Sequence, residues 1–301
     1  MGCSRIGFGA LRLRSPLCMY CLYLARFLNR GDFEEVLERV RGLGSRTDVF
    51  TETYGIVADG DPYRERKAGL NLRVLGLVGM LPTDGLGVEW LLRLGAAANV
   101  VDIEVPGYSF DEAVLERLGR EVGRVVFRAP REAVVRLVES ASRVVYLLDN
   151  AGEAVFDVFV GLMLALRGAR VYFVARSMPY EVDVTVDEAE WLVERVAQQL
   201  GVGGLLGRVE VVGTGGRYSG FALRRVDERI VDLMASADVV VSKGIANFEA
   251  YLDYREDVEE VIGGDRLVFL LCAKCPVLAG LFGVDRGTPV VFSPSSSCSW
   301  C

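Results

Sequence analysis

The sequence predicts a mixed α/β protein, in which a helical domain precedes a Rossmann-like three-layer α/β/α domain with a parallel sheet. From Val144 onwards, short apolar runs alternate with helical patterns, which is typical of a parallel sheet covered on both faces. Between Leu17 and Gly95 the apolar residues recur at helical spacing instead. With 301 residues, 51% of them hydrophobic, the chain is long enough to bury a large core.

The domain division follows from this change of pattern. Residues 1–16 are predicted to be a basic extension, 17–105 a helical domain and 106–301 the Rossmann-like domain. Within the helical part, Asp32 is a plausible N-cap, and helices are expected over Arg64–Leu81 and Glu89–Ala98. The pair Pro106-Gly107 marks the crossover into the second domain.

Six strands and four helices are expected after residue 143. The predicted strands are Val144–Leu148, Val171–Ala175, Val209–Val212, Val239–Val241, Leu267–Leu271 and Val290–Phe292. The predicted helices are Glu153–Arg167, Glu188–Leu200, Asp227–Ser236 and Asn247–Tyr254.

Charge and hydropathy exclude two classes of partner. A net charge of −7 and a pI near 5.0 leave no basic stripe for nucleic acid. No apolar run reaches the roughly eighteen residues of a membrane-spanning helix. Residues 17–25 faintly resemble a signal peptide, but no small-residue cleavage site follows, so we expect a cytoplasmic protein. Oligomeric state is left open by the sequence.

The chain has no histidine. This excludes Ser-His-Asp and Cys-His catalysis, and any acid–base work by imidazole. Catalysis must therefore rest on carboxylates, lysine and metal-bound water.

Seven cysteines include three Cys-x-x-Cys pairs, Cys18/Cys21, Cys272/Cys275 and Cys298/Cys301. Two pairs brought together could form a tetrahedral zinc site, and they could equally form disulfides or remain thiols. The sequence leaves these alternatives open.

The most informative segment is Asp149-Asn150-Ala-Gly152-Glu153, which directly follows the predicted strand Val144–Leu148. Ligands of open α/β sheets bind at the carboxyl ends of strands, and carboxylate and amide oxygens suit hard cations. A helix N-terminus beside them favours the anion that such a cation carries. The competing interpretation is a solvated turn or helix cap.

Only three lysines occur, Lys67, Lys243 and Lys274, among 34 basic residues. Lys243 and Lys274 closely follow predicted strands. Because an ammonium is a compact point charge, they are candidates for phosphate contacts, although surface lysines at strand exits would fit the same pattern.

These motifs resemble the metal-dependent damage-control phosphatases. The resemblance rests on the Asp149 segment with Phe156-Asp157, and on Ser242-Lys243-Gly244 followed by Asn247-Phe248-Glu249. Further matching segments, in order along about residues 17–293, are Asp61-Pro-Tyr-Arg64 with Lys67 and Asn71, Ala98-Asn99-Val-Val-Asp102, Pro179 to Asp183-Val-Thr185, and Ala273-Lys274-Cys275-Pro276. Together with Cys18-x-x-Cys21, they fit the archaeal-type branch.

The resemblance implies a divalent-metal-dependent phosphatase acting on small phosphometabolites, such as sugar phosphates or damaged cofactor phosphates. Its metal ligands would be Asp149, Asn150 and Asp183, an all-oxygen set for Mg²⁺, Mn²⁺, Co²⁺ or Ni²⁺. The catalytic residues would be Asp149, Asn150, Glu153 and Lys243, with Glu153 orienting the attacking water and an Asp nucleophile as the alternative. Substrate contacts are expected from Asn99, Asp102, Asn247, Glu249 and Lys274.

Two segments depart from the family pattern. Arg217 and Tyr218 stand where an Asp-Ala pair is expected in the loop Gly213–Gly220, and Arg176-Ser177 stands where Lys-Gly is frequent. Both changes add or relocate positive charge near the expected substrate pocket.

Two other functions remain open at this stage. One is an S-adenosylmethionine-dependent protein carboxyl methyltransferase, although no acid-Gly-x-Gly methyl-donor loop is visible. The other is a non-catalytic metal or redox protein built on the cysteine pairs.

Overall fold

The computed structural model describes residues 33–57, 60–101 and 114–294. The predicted basic extension, the Pro106-Gly107 crossover, Asp102 and the pairs Cys18/Cys21 and Cys298/Cys301 lie outside these residues. None of the helices that the structure describes is long and apolar enough to cross a membrane.

A single seven-stranded sheet forms the centre of the described part of the chain. Its strands are β1 (Val126–Arg128), β2 (Arg143–Leu147), β3 (Arg170–Ala175), β4 (Val209–Gly213), β5 (Val239–Lys243), β6 (Leu267–Cys272) and β7 (Pro289–Phe292). Their order across the sheet is β1-β7-β6-β5-β2-β3-β4.

The predicted α/β class is confirmed, with two corrections at one edge of the sheet. The strands β6, β5, β2, β3 and β4 are parallel, but β7 pairs with β6 antiparallel, and β1 runs parallel to β7. The three-residue strand β1 was not predicted, because it is short and only partly buried.

Twelve α-helices surround the sheet in the described ranges. They are α1 (Phe33–Val40), α2 (Arg46–Val57), α3 (Arg64–Val78), α4 (Val88–Ala97), α5 (Val114–Arg124), α6 (Arg131–Ser140), α7 (Glu153–Leu166), α8 (Val186–Gln199), α9 (Glu228–Ala235), α10 (Gly244–Asp253), α11 (Arg255–Val261) and α12 (Pro276–Phe282). A 3₁₀ turn, Ala98–Val101, continues α4.

The core consists of two apolar layers, one on each face of the sheet. Alternate residues of β2 enter opposite layers: Val144 and Tyr146 join one, Val145 and Leu147 the other. The first layer also contains Leu70 of α3 and much of α4 and α7. The early helices thus share a core with the sheet, while the division into two domains stays a prediction.

The helix α7 is apolar on every side, and its residues from Glu153 to Ala165 are all buried. A helix of this kind belongs to a protein interior, so its two acids, Glu153 and Asp157, are placed inside the molecule by their apolar neighbours.

The sheet has a switch point between β2 and β5. From β2 the chain passes through α7 to β3 and through α8 to β4, and it then returns to place β5 on the other side of β2. The connections that leave β2 and β5 therefore diverge, and a crevice at the strands' carboxyl ends is the usual ligand site of such folds. Asp149 follows β2 and Lys243 ends β5.

Candidate active site

The three predicted metal ligands lie beside one another in the backbone. Asn150 and Asp183 form an isolated antiparallel bridge. The amide of Val184 donates to the Asp149 carbonyl over 3.1 Å. The loop after β3 thus folds back onto the end of β2, which brings Asp183 next to the Asp149-Asn150 pair.

Asp149 is 5% exposed, and its carboxylate makes no hydrogen bond or ion pair with any residue that the structure describes. Burial raises its pKa well above the usual range, and the charges of Asp183 and Glu153 raise it further, against Lys274 and Arg176. Gly244 lies directly against it with φ +75°, where a Cβ would overlap the carboxylate. Only glycine fits this close approach.

Asp183 is held by cations from two sides. Its Oδ2 accepts from Arg176 Nε over 2.7 Å, and both side chains are nearly inaccessible. Its main-chain carbonyl accepts from Lys67 Nζ over 3.3 Å. Burial raises the pKa of Asp183, although Arg176 and Lys67 oppose the rise.

These residues fit a hard divalent cation. Asp149 is a nearly buried carboxylate without a protein partner in the described chain. The charge of Asp183 raises the pKa of Asp149 further even though Asp183 is paired with Arg176, so a cation beside Asp149 would be favourable. Among the described residues no cluster of three or more His, Cys, Asp or Glu side chains could hold a metal, and the part of Asn150 as an oxygen ligand stays a prediction.

A second group of buried polar residues, which we call the acid–lysine network, consists of Asn99, Tyr146, Glu153, Asp157 and Lys243. Lys243 Nζ lies 3.1 Å from both Glu153 Oε2 and Asp157 Oδ1. The Asn99 amide also donates to Glu153 Oε2. The Tyr146 hydroxyl donates to Asp157 Oδ1 over 2.9 Å. All these groups lie at or near zero exposure.

All three ammonium donors of Lys243 are in use, since the carbonyl of Gly95 accepts the third. Burial favours a lower pKa for Lys243, but Asp157 and Glu153 outweigh burial and raise the pKa. Burial also raises the pKa of Asp157 to about 7, although Lys243 opposes it. Lys243 therefore holds Glu153 in place in this geometry, while its predicted contact with phosphate stays a prediction.

Three buried oxygens of the network have no hydrogen-bond partner in the described chain: Glu153 Oε1, Asp157 Oδ2 and Asn99 Oδ1. An unsatisfied carboxylate oxygen is unfavourable in a protein interior, so Glu153 Oε1 is an acceptor ready for a water or a substrate hydroxyl.

The predicted substrate-binding residues have different surroundings. Asn247 donates to the carbonyls of Lys243 (2.8 Å) and Leu148 (3.3 Å), so it joins the ends of β5 and β2. Glu249 is ion-paired with Arg46 of α2 at 3.0 Å. Lys274, after β6, is partly exposed, and its charge lowers the pKa of Asp149.

The helical region reaches the site through Lys67 and Asn71 of α3. Lys67 Nζ is ion-paired with Asp61 at 2.9 Å and with Glu188 at 3.0 Å. Asn71 Oδ1 accepts from the Gly152 amide over 2.7 Å, at the start of α7. This contact fixes the turn that carries Asp149 and Asn150.

Arg176, Asp157 and Tyr146 were not predicted as site residues. A signal existed for two of them. Asp157 follows Glu153 by four residues and so shares its helix face, and Arg176 directly follows β3. Tyr146 gave none, because it occupies an ordinary core position of β2.

Comparisons with known proteins identify the family of the chain. Residues 22–290 match the model of the damage-control phosphatase ARMT1-like domain. The chain belongs to this family. This confirms the resemblance on which the site residues were chosen, while their individual roles remain predictions.

Two relatives carry the family's name. The chain is 27% identical over 244 residues to damage-control phosphatase PH1575 of Pyrococcus horikoshii, covering 80% of this chain and 78% of the relative. It is 27% identical over 251 residues to a damage-control phosphatase of Archaeoglobus fulgidus, covering 81% and 80%. The crystal structure of the DUF89 family protein ph1575 matches with a TM-score of 0.70, 22% identity and coverage of 92% and 98%, which supports the fold.

Proposed function

We propose that this protein is a divalent-metal-dependent phosphomonoesterase that hydrolyses small phosphorylated metabolites. The observation that carries the proposal is the Asp149 carboxylate, which is nearly buried, lacks a protein partner in the described chain and adjoins Asn150 and Asp183 at the sheet's switch point. Family membership supplies the reaction class.

Asp149, Asn150 and Asp183 would hold the ion. A divalent cation there would polarise a phosphoryl oxygen and supply positive charge that phosphoryl transfer needs. Mg²⁺, Mn²⁺, Co²⁺ and Ni²⁺ all accept such oxygen ligands, and the donor set does not select among them.

The protein's own residues would position the reactants. Glu153 Oε1 is the buried acceptor that would orient the attacking water, and Lys243 and Asn99 keep Glu153 in place. Lys274, which is close enough to Asp149 to lower its pKa, would neutralise a phosphate oxygen. Gly244, which has no Cβ, lets the end of β5 pack directly against the Asp149 carboxylate. Asn99, Asn247 and Glu249 remain candidates for substrate contact, and so does Asp102.

Metal removal tests the proposal. We expect chelator-treated protein to be inactive toward p-nitrophenyl phosphate and toward a panel of sugar phosphates, and Mn²⁺, Co²⁺, Ni²⁺ or Mg²⁺ to restore activity. Asp149→Asn should abolish the restoration, and Asp183→Asn should raise the metal concentration that is needed at least about tenfold, because each removes a charged ligand.

Asp187→Asn provides the matched control, since Asp187 is an exposed acid four residues after Asp183. It should keep the wild-type metal response. Hydrolysis that needs no metal, or that survives in Asp149→Asn, would show that the active site is elsewhere.

A further inference from the structure

The loop between β4 and α9 is held firmly against its neighbours. The Gly215 amide donates to Ser177 Oγ over 2.8 Å, which ties this loop to the one that carries Arg176 and Asp183. The Ser219 amide donates to Thr51 Oγ1 over 3.0 Å, which ties it to α2. Arg217, between these two anchors, is therefore presented from a fixed backbone.

The guanidinium of Arg217 is not ion-paired with any carboxylate that the structure describes. Its guanidinium carbon lies 5.6 Å from the centre of the Tyr54 ring, and the side chain is partly exposed. It forms no hydrogen bond or ion pair with the residues that the structure describes, which leaves its N–H donors to solvent or to a ligand. An arginine stacked on an aromatic ring is well prepared to bind an oxyanion, because the ring restricts its movement and leaves the donor edge available.

Tyr54 adds a second donor at the same place. It is 1% exposed, and its hydroxyl donates to no acceptor in the described chain, although the backbone amide of Glu181 lies close enough to its oxygen to lower its pKa. Burial raises its pKa to about 12, with a further contribution from Asp61, so the hydroxyl keeps its proton. The charge of Glu181 also raises the pKa of Tyr54. The other nearby acid, Asp61, is ion-paired with Lys67.

The pair lies close to the proposed metal ligands. The rings of Tyr54 and Tyr180 are 4.9 Å apart between centroids. The carbonyl of Tyr180 accepts from the Asp183 amide over 3.0 Å. Arg217 and Tyr54 are thus linked to the backbone of Asp183 by successive contacts through Tyr180.

We propose that Arg217 and the Tyr54 hydroxyl form an anion subsite, which binds a second oxyanion group, a carboxylate or another phosphate, on the ester being hydrolysed. The inference rests on the proposed function and adds the substrate class: acidic phosphate esters are preferred over neutral ones. The guanidinium supplies charge and paired donors, and the phenol supplies one neutral donor.

Matched substrates separate this role from general catalysis. Glycerol 3-phosphate and 3-phosphoglycerate differ by a terminal alcohol or carboxylate, and sorbitol 6-phosphate and 6-phosphogluconate repeat the comparison on a longer chain. We expect Arg217→Met to lower kcat/KM for the two acidic esters at least about tenfold, as loss of a charge-assisted contact does, and to leave the neutral esters within about twofold. Tyr54→Phe should show the same selectivity with a loss of about threefold.

Arg195→Met is the matched control, because Arg195 is exposed and also stacks on an aromatic ring, that of Trp191, at 5.9 Å. It should behave as wild type with all four esters. Equal losses for acidic and neutral esters in Arg217→Met, or no loss at all, would overturn the subsite.

Binding without turnover distinguishes this inference from the proposed function. If wild-type protein with metal hydrolyses none of the four esters, and neither p-nitrophenyl phosphate nor any sugar phosphate of the panel, the proposed function fails. Calorimetric titration of the metal-free protein with 3-phosphoglycerate and 6-phosphogluconate then decides the subsite alone. Affinity for either that falls at least about fivefold in Arg217→Met, with no change in Arg195→Met, supports it. Unchanged affinity, or no binding of either by wild type, overturns it.

Discussion

Lys67 and Lys243 are both fully buried, and each lies between two carboxylates, but the two clusters differ in their access to water. Around Lys67, the side chains of Asp61 and Glu188 retain 14% and 22% exposure. Around Lys243, Glu153 and Asp157 have none. Lys67 also holds the carbonyl of Asp183, whereas Lys243 holds that of Gly95.

Because of this difference, removal of each lysine should have different consequences for the carboxylates around it. Water can solvate Asp61 and Glu188 when Lys67 is removed. The partners of Lys243 have only each other and a few neutral groups, and an uncompensated carboxylate in a protein interior is strongly unfavourable. Each cluster contains one lysine and two carboxylates, but loss of the lysine should therefore destabilise the protein more in the Lys243 cluster than in the Lys67 cluster.

The largest effect is expected for Lys243→Met, which leaves the buried Glu153 carboxylate without its cation, and above about pH 7 that of Asp157 as well. We expect the free energy of unfolding to fall by about 3–5 kcal/mol, measured by chemical denaturation. Turnover should fall at least about tenfold as Glu153 loses its anchor. Adding Glu153→Gln to this variant should recover part of the lost stability, and a single variant as stable and active as wild type would refute the charge-balance role.

Lys67→Met should have a smaller effect on stability, about 2 kcal/mol, because water reaches Asp61 and Glu188. The variant should also bind the metal more weakly, and the loss of binding free energy should exceed the loss of unfolding free energy. The reason is that Lys67 no longer donates to the main-chain carbonyl of Asp183. Titration of the refolded variant with Mn²⁺ measures this. A loss of stability equal to that of Lys243→Met would remove the distinction between the two clusters.

The third test uses pH. With a pKa of about 7, Asp157 keeps its proton in the native state where the unfolded chain, with a pKa near 4, has lost it. Its contribution to stability is thus complete below about pH 4 and is lost as the pH rises toward 7. Relative to Asp157→Asn, which cannot ionise, wild-type unfolding free energy should fall by about 1.4 kcal/mol per pH unit between pH 5 and 6. A pH-independent difference would show that Asp157 is already ionised there.

Much of the fold could be predicted because each central strand is a short apolar run that ends in polar residues. The strand that precedes Asp149 and the one that ends at Lys243 were located to within one or two residues for this reason. The direction of β7 could not be predicted, because an apolar run reads the same in a parallel or an antiparallel pair. Only its partner β6 decides the direction.

The site residues that could be predicted are those whose location in the fold follows directly from the strand that they end. Asp149 and Asn150 end a strand at the switch point, so their location follows from the strand itself. The partners of Lys243 could not be predicted, because Glu153 and Asp157 lie on α7 and meet the end of β5 only through packing. Likewise, the sequence indicated extra positive charge at Arg176 and Arg217, but not that Arg176 is committed to Asp183 while Arg217 has no protein partner in the described chain.

The ion pair between Arg46 and Glu249 spans 203 residues of chain, and this separation has a consequence for synthesis on the ribosome. At about 5–20 residues per second, Arg46 emerges roughly 10–40 s before its partner. Leu91 and Leu92 of α4, which are buried in the finished protein, must wait likewise for the later strands of the sheet that they cover. The early helices should therefore spend this interval with an exposed apolar face, and a nascent chain arrested before β6 should bind chaperones that recognise such surfaces.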